Sequence, residues 1–461
     1  MEHDCTPVVV GMGVISPAGK TVDEFADHIF NGIVGNIKEI TRFDVSQYPV
    51  KIAGEVVIDA SDSEAFMASM GKSDPTLRKA WRRFSTYTKY AVLAGMQAVG
   101  QVPGISHSAL DEAGIISLLD SNSCSHEEKL KQVLQACNNI PVIIGSGYGG
   151  LEDILDGQMA LSRKGPSVVP AILVQESMIN SPGARLAYMY QFLGANYGVS
   201  SACASGSNAI IDVAKRIRNE GCEGALAVGA DALELGVVVA SFTNTGALAK
   251  WEGDPKNASR PWDKGRTGFV ISEGAAALYL MPKWLAEEKN IPILAEIAGY
   301  GESADADKSS NLEPPSFRGP FLSMTRALEM AGLLDRQGGI AEIAYGNAHG
   351  TATPEGDLNE AKVFARAFGD YKGKIPVGST KSIHGHMIGA AGTIEAIACI
   401  LTLQKGVAPG NVNLDVIDPE IAKTGIYLPT QAVPMSGHQP RYAVNNSFGF
   451  GGTNATVIFK R

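Results

Sequence analysis

The sequence predicts an α/β protein with parallel or mixed sheets. Two observations carry this. Apolar runs of strand length alternate with segments of helical periodicity from one end of the chain to the other. Glycine is frequent, 52 of 461 residues, and many glycines stand in pairs at the ends of apolar runs, where turns would close around a site. The length, with 45% hydrophobic residues, suits two or three domains or one large duplicated unit. With Cys203 in the first half of the chain and the histidines of interest in the second, a site between two similar halves is one economical arrangement, but internal identity is too weak to show a duplication by eye.

Taken in order, "PVVVGMGVISPAG" reads as a strand and tight turn. "TVDEFADHIFNGI" reads as a helix with Thr21 as N-cap and Glu24 three residues on. A turn-rich loop, Arg42–Val50, follows, and Arg82–Val99 reads as one helix rich in alanine and aromatic residues. Residues 101–140 read as an inserted or extended surface segment, in which Leu130, Val133, Leu134 and Cys137 keep helical spacing. "IPVIIGSGYGGLEDI" is a buried strand running into a glycine turn. Ile210, Val213, Ala214 and Ile217 recur at i, i+3, i+4 and i+7, so a helix begins close to Cys203. Further strands are expected at Gly224–Ala232, in "GAAALYLM" and in "PILAEIAGYG", and helices in "PFLSMTRALEMAGL" and "AAGTIEAIACILTLQKG". "EIAYGNAHGTATPEGD" reads as strand then loop, and "RYAVNNSFGFGGTNATVIFK" as two strands about a glycine-rich turn.

A net charge of −9 argues against broad nucleic-acid binding. Six scattered cysteines without a CxxC pair argue against a zinc ribbon or a disulfide framework and point to a reducing compartment. The start, "MEHDCTPVVVGMG", lacks the basic and long apolar regions of a secretory signal, and no run of 18 apolar residues offers a membrane span. The reading is a soluble cytoplasmic protein.

Cys203 stands among Ser201, Ala202, Ala204, Ser205 and Gly206 at a predicted helix start. Unpaired N–H groups and the helix dipole would lower the thiol's pKa there, and small neighbours leave room for a substrate. A buried structural cysteine is the competing reading. His349 ends an apolar strand, where α/β sheets tend to build sites, and is otherwise a hydrogen-bonded loop histidine. "STKSIHGHMIGAAG" holds Lys381, His384 and His386; its H-x-H pair lacks the accompanying ligand set of a metal site. One cysteine with histidines from separate segments is the pattern of thiol acyl chemistry. "GSGYGG" lacks the register and acidic partner of a dinucleotide loop. Arg78, Lys79, Arg82 and Arg83 form a basic run, either a solvated face or a dock for an acidic partner.

Together, "SSACASGSNAI", "NAHGTATPEGD", "STKSIHGHMIGAAG" and "NSFGFGGTNA" resemble, in that order, the motifs of the β-ketoacyl-acyl-carrier-protein synthases, nearest the elongating KAS II type of the thiolase superfamily. The likeness covers nearly the whole chain outside 101–140. It implies a thiolase-like fold of two related βαβαβ halves layered α-β-α-β-α, with residues 1–285 carrying the cysteine and 286–461 both histidine motifs. It implies a decarboxylative Claisen condensation that extends a cysteine-bound acyl chain by two carbons from malonyl-carrier protein, in fatty-acid or polyketide and polyene synthesis.

The same resemblance implies Cys203 as the acyl-accepting nucleophile and His349 with His386 as the pair that drives decarboxylation. Lys381 and Glu395 match the partners of their charge network, and Asp357 and Glu360 match acidic positions after the first histidine. Phe450 and Gly449 fall on the oxyanion site and gate, Phe242 and Met178 on the acyl pocket, and Thr351 and Thr353 on pantetheine contacts. Arg78, Lys79, Arg82 and Arg83 match a face turned to the acyl carrier protein. No cofactor, metal, nucleic acid or membrane is implied. A homodimer is, or a heterodimer with a related chain-length subunit. Two other readings are a non-catalytic chain-length-setting subunit, against which Cys203 with both histidines argues, and a thiol hydrolase. The chain departs from the family at His384, at Thr267, in Ser303–Leu312, which lacks the family's contact to the pantetheine arm, and in the segment 101–140. These departures leave fatty-acid elongation and a specialised polyketide or polyene pathway both open.

Overall fold

Ten apolar segments pair into one mixed sheet in the computed structural model, which describes residues 4–69, 75–103, 112–120, 124–136, 138–306, 317–335, 337–435 and 442–461. Five come from the first part of the chain: β1 (Pro7–Ile15), β2 (Val142–Gly145), β3 (Asn196–Val199), β4 (Ala225–Asp231) and β5 (Gly274–Pro282). Five come from the second: β6 (Ala295–Ala304), β7 (Ile343–Asn347), β8 (Val377–Gly378), β9 (Tyr442–Gly449) and β10 (Thr453–Lys460). Across the sheet the order is β8-β7-β9-β10-β6-β1-β5-β4-β2-β3. Counted outwards from the centre, each half therefore runs first, fifth, fourth, second, third strand. The two outer pairings of each half are parallel and the two inner ones antiparallel. The halves join where β1 and β6 pair antiparallel at Val8 with Glu296 and Val9 with Ala295.

The helices α1 (Thr86–Gly100), α2 (Ser205–Glu220), α3 (Arg318–Met330), α4 (Pro354–Phe368) and α5 (Ala391–Lys405) complete the layers. α1 packs outside the first half and α3 outside the second, while α2 and α5 lie between them. Three apolar cores follow. The middle one joins Ile210, Val213 and Ile217 of α2 to Ile394, Ile397 and Leu401 of α5 and to strands of both halves. Each outer core serves one half, Tyr90 and Leu93 in one and Met324 and Phe364 in the other. Burial from both sides explains why α5 carries so few charges. The segment Ile388–Lys405 is long and apolar enough to cross a membrane, contrary to the sequence reading, yet it is enclosed by the two half-sheets.

In β1, Val8, Val10 and Ile15 face the outer core and Val9, Met12 and Val14 the middle one. The register slips between Val9 and Gly11, and that bulge reverses which residues face which side. Beyond it the strand lies directly under helix backbone. A Cβ on Gly11 or Gly13 would stand 2.0 and 1.9 Å from the carbonyl oxygens of Ala98 and Ala94 in α1. The second half repeats the device: a Cβ on Gly299 or Gly301 would meet Ala327 O at 2.4 Å and Ser323 O at 2.0 Å in α3.

Thr21 caps its helix by accepting from Glu24 N–H at 3.2 Å. The helix expected over 82–99 starts late, after a separate short helix. A short helix, Pro75–Trp81, ends, and α1 starts only at Thr86, because Phe84 turns into the core and Ser85 N–H goes to the buried Glu176 carboxylate at 3.3 Å. Within 101–140 the helices Glu112–Asp120 and His126–Ala136 pack on each other, and Leu130 stays largely exposed; Cys137 lies outside the described residues.

Replacing Gly13 or Gly301 by alanine is expected to destabilise by about 1–3 kcal/mol or more through overpacking. Gly100, at the end of α1 with open space around it, should instead tolerate alanine and gain about 0.5 kcal/mol. Urea unfolding of the three variants checks both signs.

Candidate active site

Cys203 sits in a tight turn between β3 and α2. Ala202 holds a φ of 51° there, unusual for a residue with a Cβ. The turn is pinned from several sides. Ser201 O accepts from Ala204 N–H at 3.1 Å and from the Thr453 hydroxyl at 2.8 Å, and Asn208 Nδ2 donates to Ser201 Oγ at 2.8 Å. Ser205 Oγ accepts from Ser201 N–H at 2.9 Å. The sequence reading of a lowered thiol pKa does not hold. α2 begins two residues beyond Cys203, and burial pushes the thiol up to about 12, against the pull of Lys381 and the Phe450 N–H. The thiol rests protonated.

Both histidines come from the second half. His386 follows Gly385, which takes a φ of 73°, and its backbone bridges to Val270 and Ser272, N–H to O at 2.8 Å and O from N–H at 3.0 Å. Its Nε2 stands 3.1 Å from Cys203 Sγ. His349 follows β7, in a loop held by carboxylates of α4. Glu360 accepts from His349 N–H at 2.8 Å and Gly350 N–H at 2.7 Å; Asp357 accepts from Ala352 N–H at 3.1 Å and Trp262 N–H at 2.8 Å. The two imidazoles meet edge to face, centroids 5.3 Å apart, and Sγ and one nitrogen of each ring lie within 4.8 Å of one another.

Burial and the Lys381 charge hold both rings well below the usual histidine pKa, so both are neutral. The Nδ1 atoms of both are buried with no hydrogen-bond partner among the described residues. A buried orphan N–H is rarer than an orphan lone pair, which assigns the proton of each ring to Nε2. Two N–H donors therefore converge beside the sulfur. Three such atoms also have a spacing that a metal ion accepts, but this tautomer and the nearby lysine oppose a cation there.

Lys381 and Glu395 form a fully buried ion pair behind the rings. Burial pushes Glu395 up to about 7 against the pull of that lysine; it raises Glu360 to about 7 and Asp357 to about 6. His384 is not part of the site. Its Nε2 faces Thr380 Oγ1 at 3.1 Å, its ring packs toward Phe25 and burial takes its pKa to about 3, so the H-x-H pair points two ways.

One cavity of about 390 Å³ is lined by Cys203, His349, His386, Thr351, Thr353, Phe242, Gly449 and Phe450. Met178 is not on it. It lies half exposed in the turn before Ser181, where its carbonyl accepts from the Tyr87 hydroxyl, so its expected place in the acyl pocket of this chain is corrected. Arg78, Lys79, Arg82 and Arg83 lie away from the cavity, all exposed and without an ion pair among the described residues. Thr267 exchanges hydrogen bonds with the Lys250 backbone. Three residues of the site were not singled out in the sequence. Phe269 sets its ring edge to face with His386 at 5.1 Å, and Ile388, with a φ of 49°, closes the cavity floor. Asp231 accepts from Ser146 Oγ at 2.6 Å, Gly147 N–H at 2.9 Å and Gly389 N–H at 2.7 Å, tying loops of both halves together. Ile388 lies inside the quoted motif "STKSIHGHMIGAAG" without having been singled out, and nothing in the sequence marked Phe269 or Asp231.

Residues 7–286 match the β-ketoacyl synthase N-terminal domain and residues 294–415 the β-ketoacyl synthase C-terminal domain. The chain belongs to the β-ketoacyl synthase family. Among relatives of this synthase, 3-oxoacyl-[acyl-carrier-protein] synthase 2 of Vibrio harveyi is 34% identical over 458 residues, 98% of each chain. The protein of the same name from Staphylococcus aureus strain MRSA252 is 30% identical over 461 residues, 100% of this chain and 99% of that one. Among solved structures, a β-ketoacyl synthase from Burkholderia phymatum superposes with a TM-score of 0.79 at 27% identity over 99% of each chain. The ishigamide ketosynthase/chain length factor gives 0.78 at 26% identity, over 99% of this chain and 98% of that one.

A protonated resting thiol has a kinetic signature. Alkylation of Cys203 by iodoacetamide, followed by peptide mass mapping, should accelerate about tenfold per pH unit from pH 7 to 10. A plateau below pH 8 would mean a resting thiolate.

Proposed function

We propose that this synthase is an elongating 3-oxoacyl-[acyl-carrier-protein] synthase, as its full-length relatives are named. The observation that carries the reading is the meeting of Cys203 Sγ, His386 Nε2 and a ring nitrogen of His349 in one cavity. The Cys203 sulfur attacks the carbonyl of an acyl thioester, its proton passes to the departing carrier thiol, and the acyl chain is left on Sγ. The oxyanion of that step would lie against the N–H groups of Cys203 and Phe450, each such donor worth about 3 kcal/mol. A malonyl thioester then binds, with Thr351 and Thr353 toward its pantetheine arm. Loss of CO2 leaves an enolate, whose oxygen takes hydrogen bonds from His349 and His386 Nε2. The enolate carbon attacks the acyl carbonyl, the Cys203 thiolate departs, and the product is a β-ketoacyl thioester two carbons longer.

In this reading neutral donors are the suitable ones. An imidazolium would protonate the carbanion and waste the malonyl group, and the depressed histidine pKa values guard against that. Lys381 and Glu395 hold the charge behind the rings. Phe242 borders the acyl chain and Phe450 with Gly449 forms the gate. The exposed run Arg78, Lys79, Arg82 and Arg83 meets the acidic carrier protein. The natural boundary of the halves falls near residue 285, the enzyme is cytoplasmic, and it pairs with a copy of itself or a chain-length subunit. A purely chain-length-setting role is disfavoured because Cys203 and both histidines are present.

Intact-mass measurement with a panel of acyl-carrier proteins tests the reading. An acyl adduct on the wild type, absent from Cys203→Ala, followed by a two-carbon extension with malonyl-carrier protein, is expected. No adduct with any chain would overturn it. For the dock, Arg82→Glu with Arg83→Glu should raise KM for carrier-bound substrate at least tenfold while small-molecule thioesters react as before. Equal loss on both substrates would remove the docking role.

A further inference from the structure

At about 390 Å³ the Cys203 cavity is small for a pantetheine arm and a long acyl chain together. A second cavity, of about 630 Å³, lies at the other end of the helix Gly236–Asn244. Phe242 in the last turn of that helix walls the first cavity, and Gly236 and Val237 in its first turn wall the second. Roughly 10 Å of helix separates them. One packed apolar set spans the interval. It contains Cys203, Phe242 and Ile388, all on the first cavity, with Leu233 and Val239, and against it pack Leu235 and Phe43, both on the second.

Phe43, Leu155, Met159 and Leu235 give the second cavity an apolar wall, and the rest of its lining is largely polar, with Arg42, Glu152, Asp156, Glu234 and Glu273 among it. Glu234 faces it while only 1% exposed, and neither of its carboxyl oxygens has a hydrogen-bond partner among the described residues. Arg42 Nε, 3.5 Å from Oε2, is the neighbouring cation, and its guanidinium is already committed to Glu273. Glu273 is satisfied further by the Tyr90 hydroxyl at 2.8 Å and Val56 N–H at 3.0 Å. Burial and the adjacent Glu273 push the Glu234 carboxyl up, against the pull of Arg42, which favours its protonated form, able to donate and to accept. A buried carboxyl that makes no hydrogen bond and shares its cation with Glu273 is costly unless a ligand completes it. Among the described residues, the carboxylates of this cavity do not gather into a set tight enough for a metal ion, and an organic hydroxyl, which both donates and accepts, matches what a carboxyl offers.

We propose that the second cavity receives the far end of the acyl chain carried on Cys203, and that this end bears a hydroxyl which pairs with Glu234. The inference rests on the elongating reading above and names its substrate class: a long acyl thioester with a polar terminus. Its alkyl or polyene body lies along the apolar set, and its last group meets the carboxyl.

The test uses two acyl-carrier proteins of equal, long chain length, one ending in a hydroxyl and one in a methyl group. Each is extended with malonyl-carrier protein and followed by mass. The wild type should favour the hydroxyl-ended chain in kcat/KM by at least about tenfold, since a site built to bond a hydroxyl rejects the analogue lacking it. Glu234→Leu should bring the ratio near one, and Glu234→Gln, which keeps an acceptor, should retain most of it. Extension of both chains by the wild type at equal efficiency, or a preference for the methyl end, would overturn this inference and leave the elongating function standing. A wild-type preference that survives Glu234→Leu would overturn the role of Glu234. No extension of either chain would overturn the elongating reading itself, and this inference with it.

Discussion

Two helices from different halves meet at their first turns, a glycine of each against a hydroxyl side chain of the other, and the site depends on that contact. A Cβ on Gly206 of α2 would stand 2.5 Å from Thr393 Oγ1 and 2.7 Å from Gly389 O; a Cβ on Gly392 of α5 would stand 2.4 Å from Ser207 Oγ. Cys203 stands two residues before α2, and His386 precedes α5 by one short turn. The helix contact therefore fixes the sulfur of one half against the imidazole of the other. Ser207 and Ser447 share a buried hydrogen bond at 2.8 Å just behind it, and Asp231 gathers N–H groups from both sides. Each half alone would carry only part of the chemistry.

Much of this was legible in the sequence, for identifiable reasons. Buried strands and helices keep their apolar periods, so their existence and order could be read. Helix breaks could not, because the stop at Trp81 comes from Phe84 and the distant Glu176 rather than from a local proline or glycine. The motif residues that converge on the cavity were readable because nucleophile and donors must be particular residue types. Asp231 was not, since its role comes from loops distant in the chain, and Ile388, though inside a quoted motif, shows its place on the cavity only once the fold is formed. The thiol's ionisation was misjudged because a helix start was visible in the sequence and the depth of burial was not. The duplication was also hidden, although its trace was present: Gly-x-Gly in the first strand of each half, Gly11 with Gly13 and Gly299 with Gly301, each pair lying under a helix backbone.

The electrostatics of the site reverse what surface chemistry would suggest. A buried lysine and glutamate, a neutral pair of imidazoles and a protonated thiol leave little free charge in the cavity before substrate arrives. Charge appears only as the reaction proceeds, and donors fixed in advance meet it without reorganisation. The carboxylates that stabilise the His349 loop act through backbone N–H groups and so position the ring without offering it a proton acceptor.

The central pairing of the sheet has one more consequence. Val8, near the beginning of β1, and Lys460, at the end of β10, pair with the same residue, Glu296, from opposite sides. Two strand spacings, about 10 Å, separate those ends of the chain. A short link joining them, with a new opening at the exposed turn Lys289–Asn290, would give a permuted polypeptide in which the histidine half is synthesised first. Every strand would keep its neighbours. The linear order of the halves is thus incidental to the architecture, and what the fold requires of the chain is only that both halves be tethered at one seam.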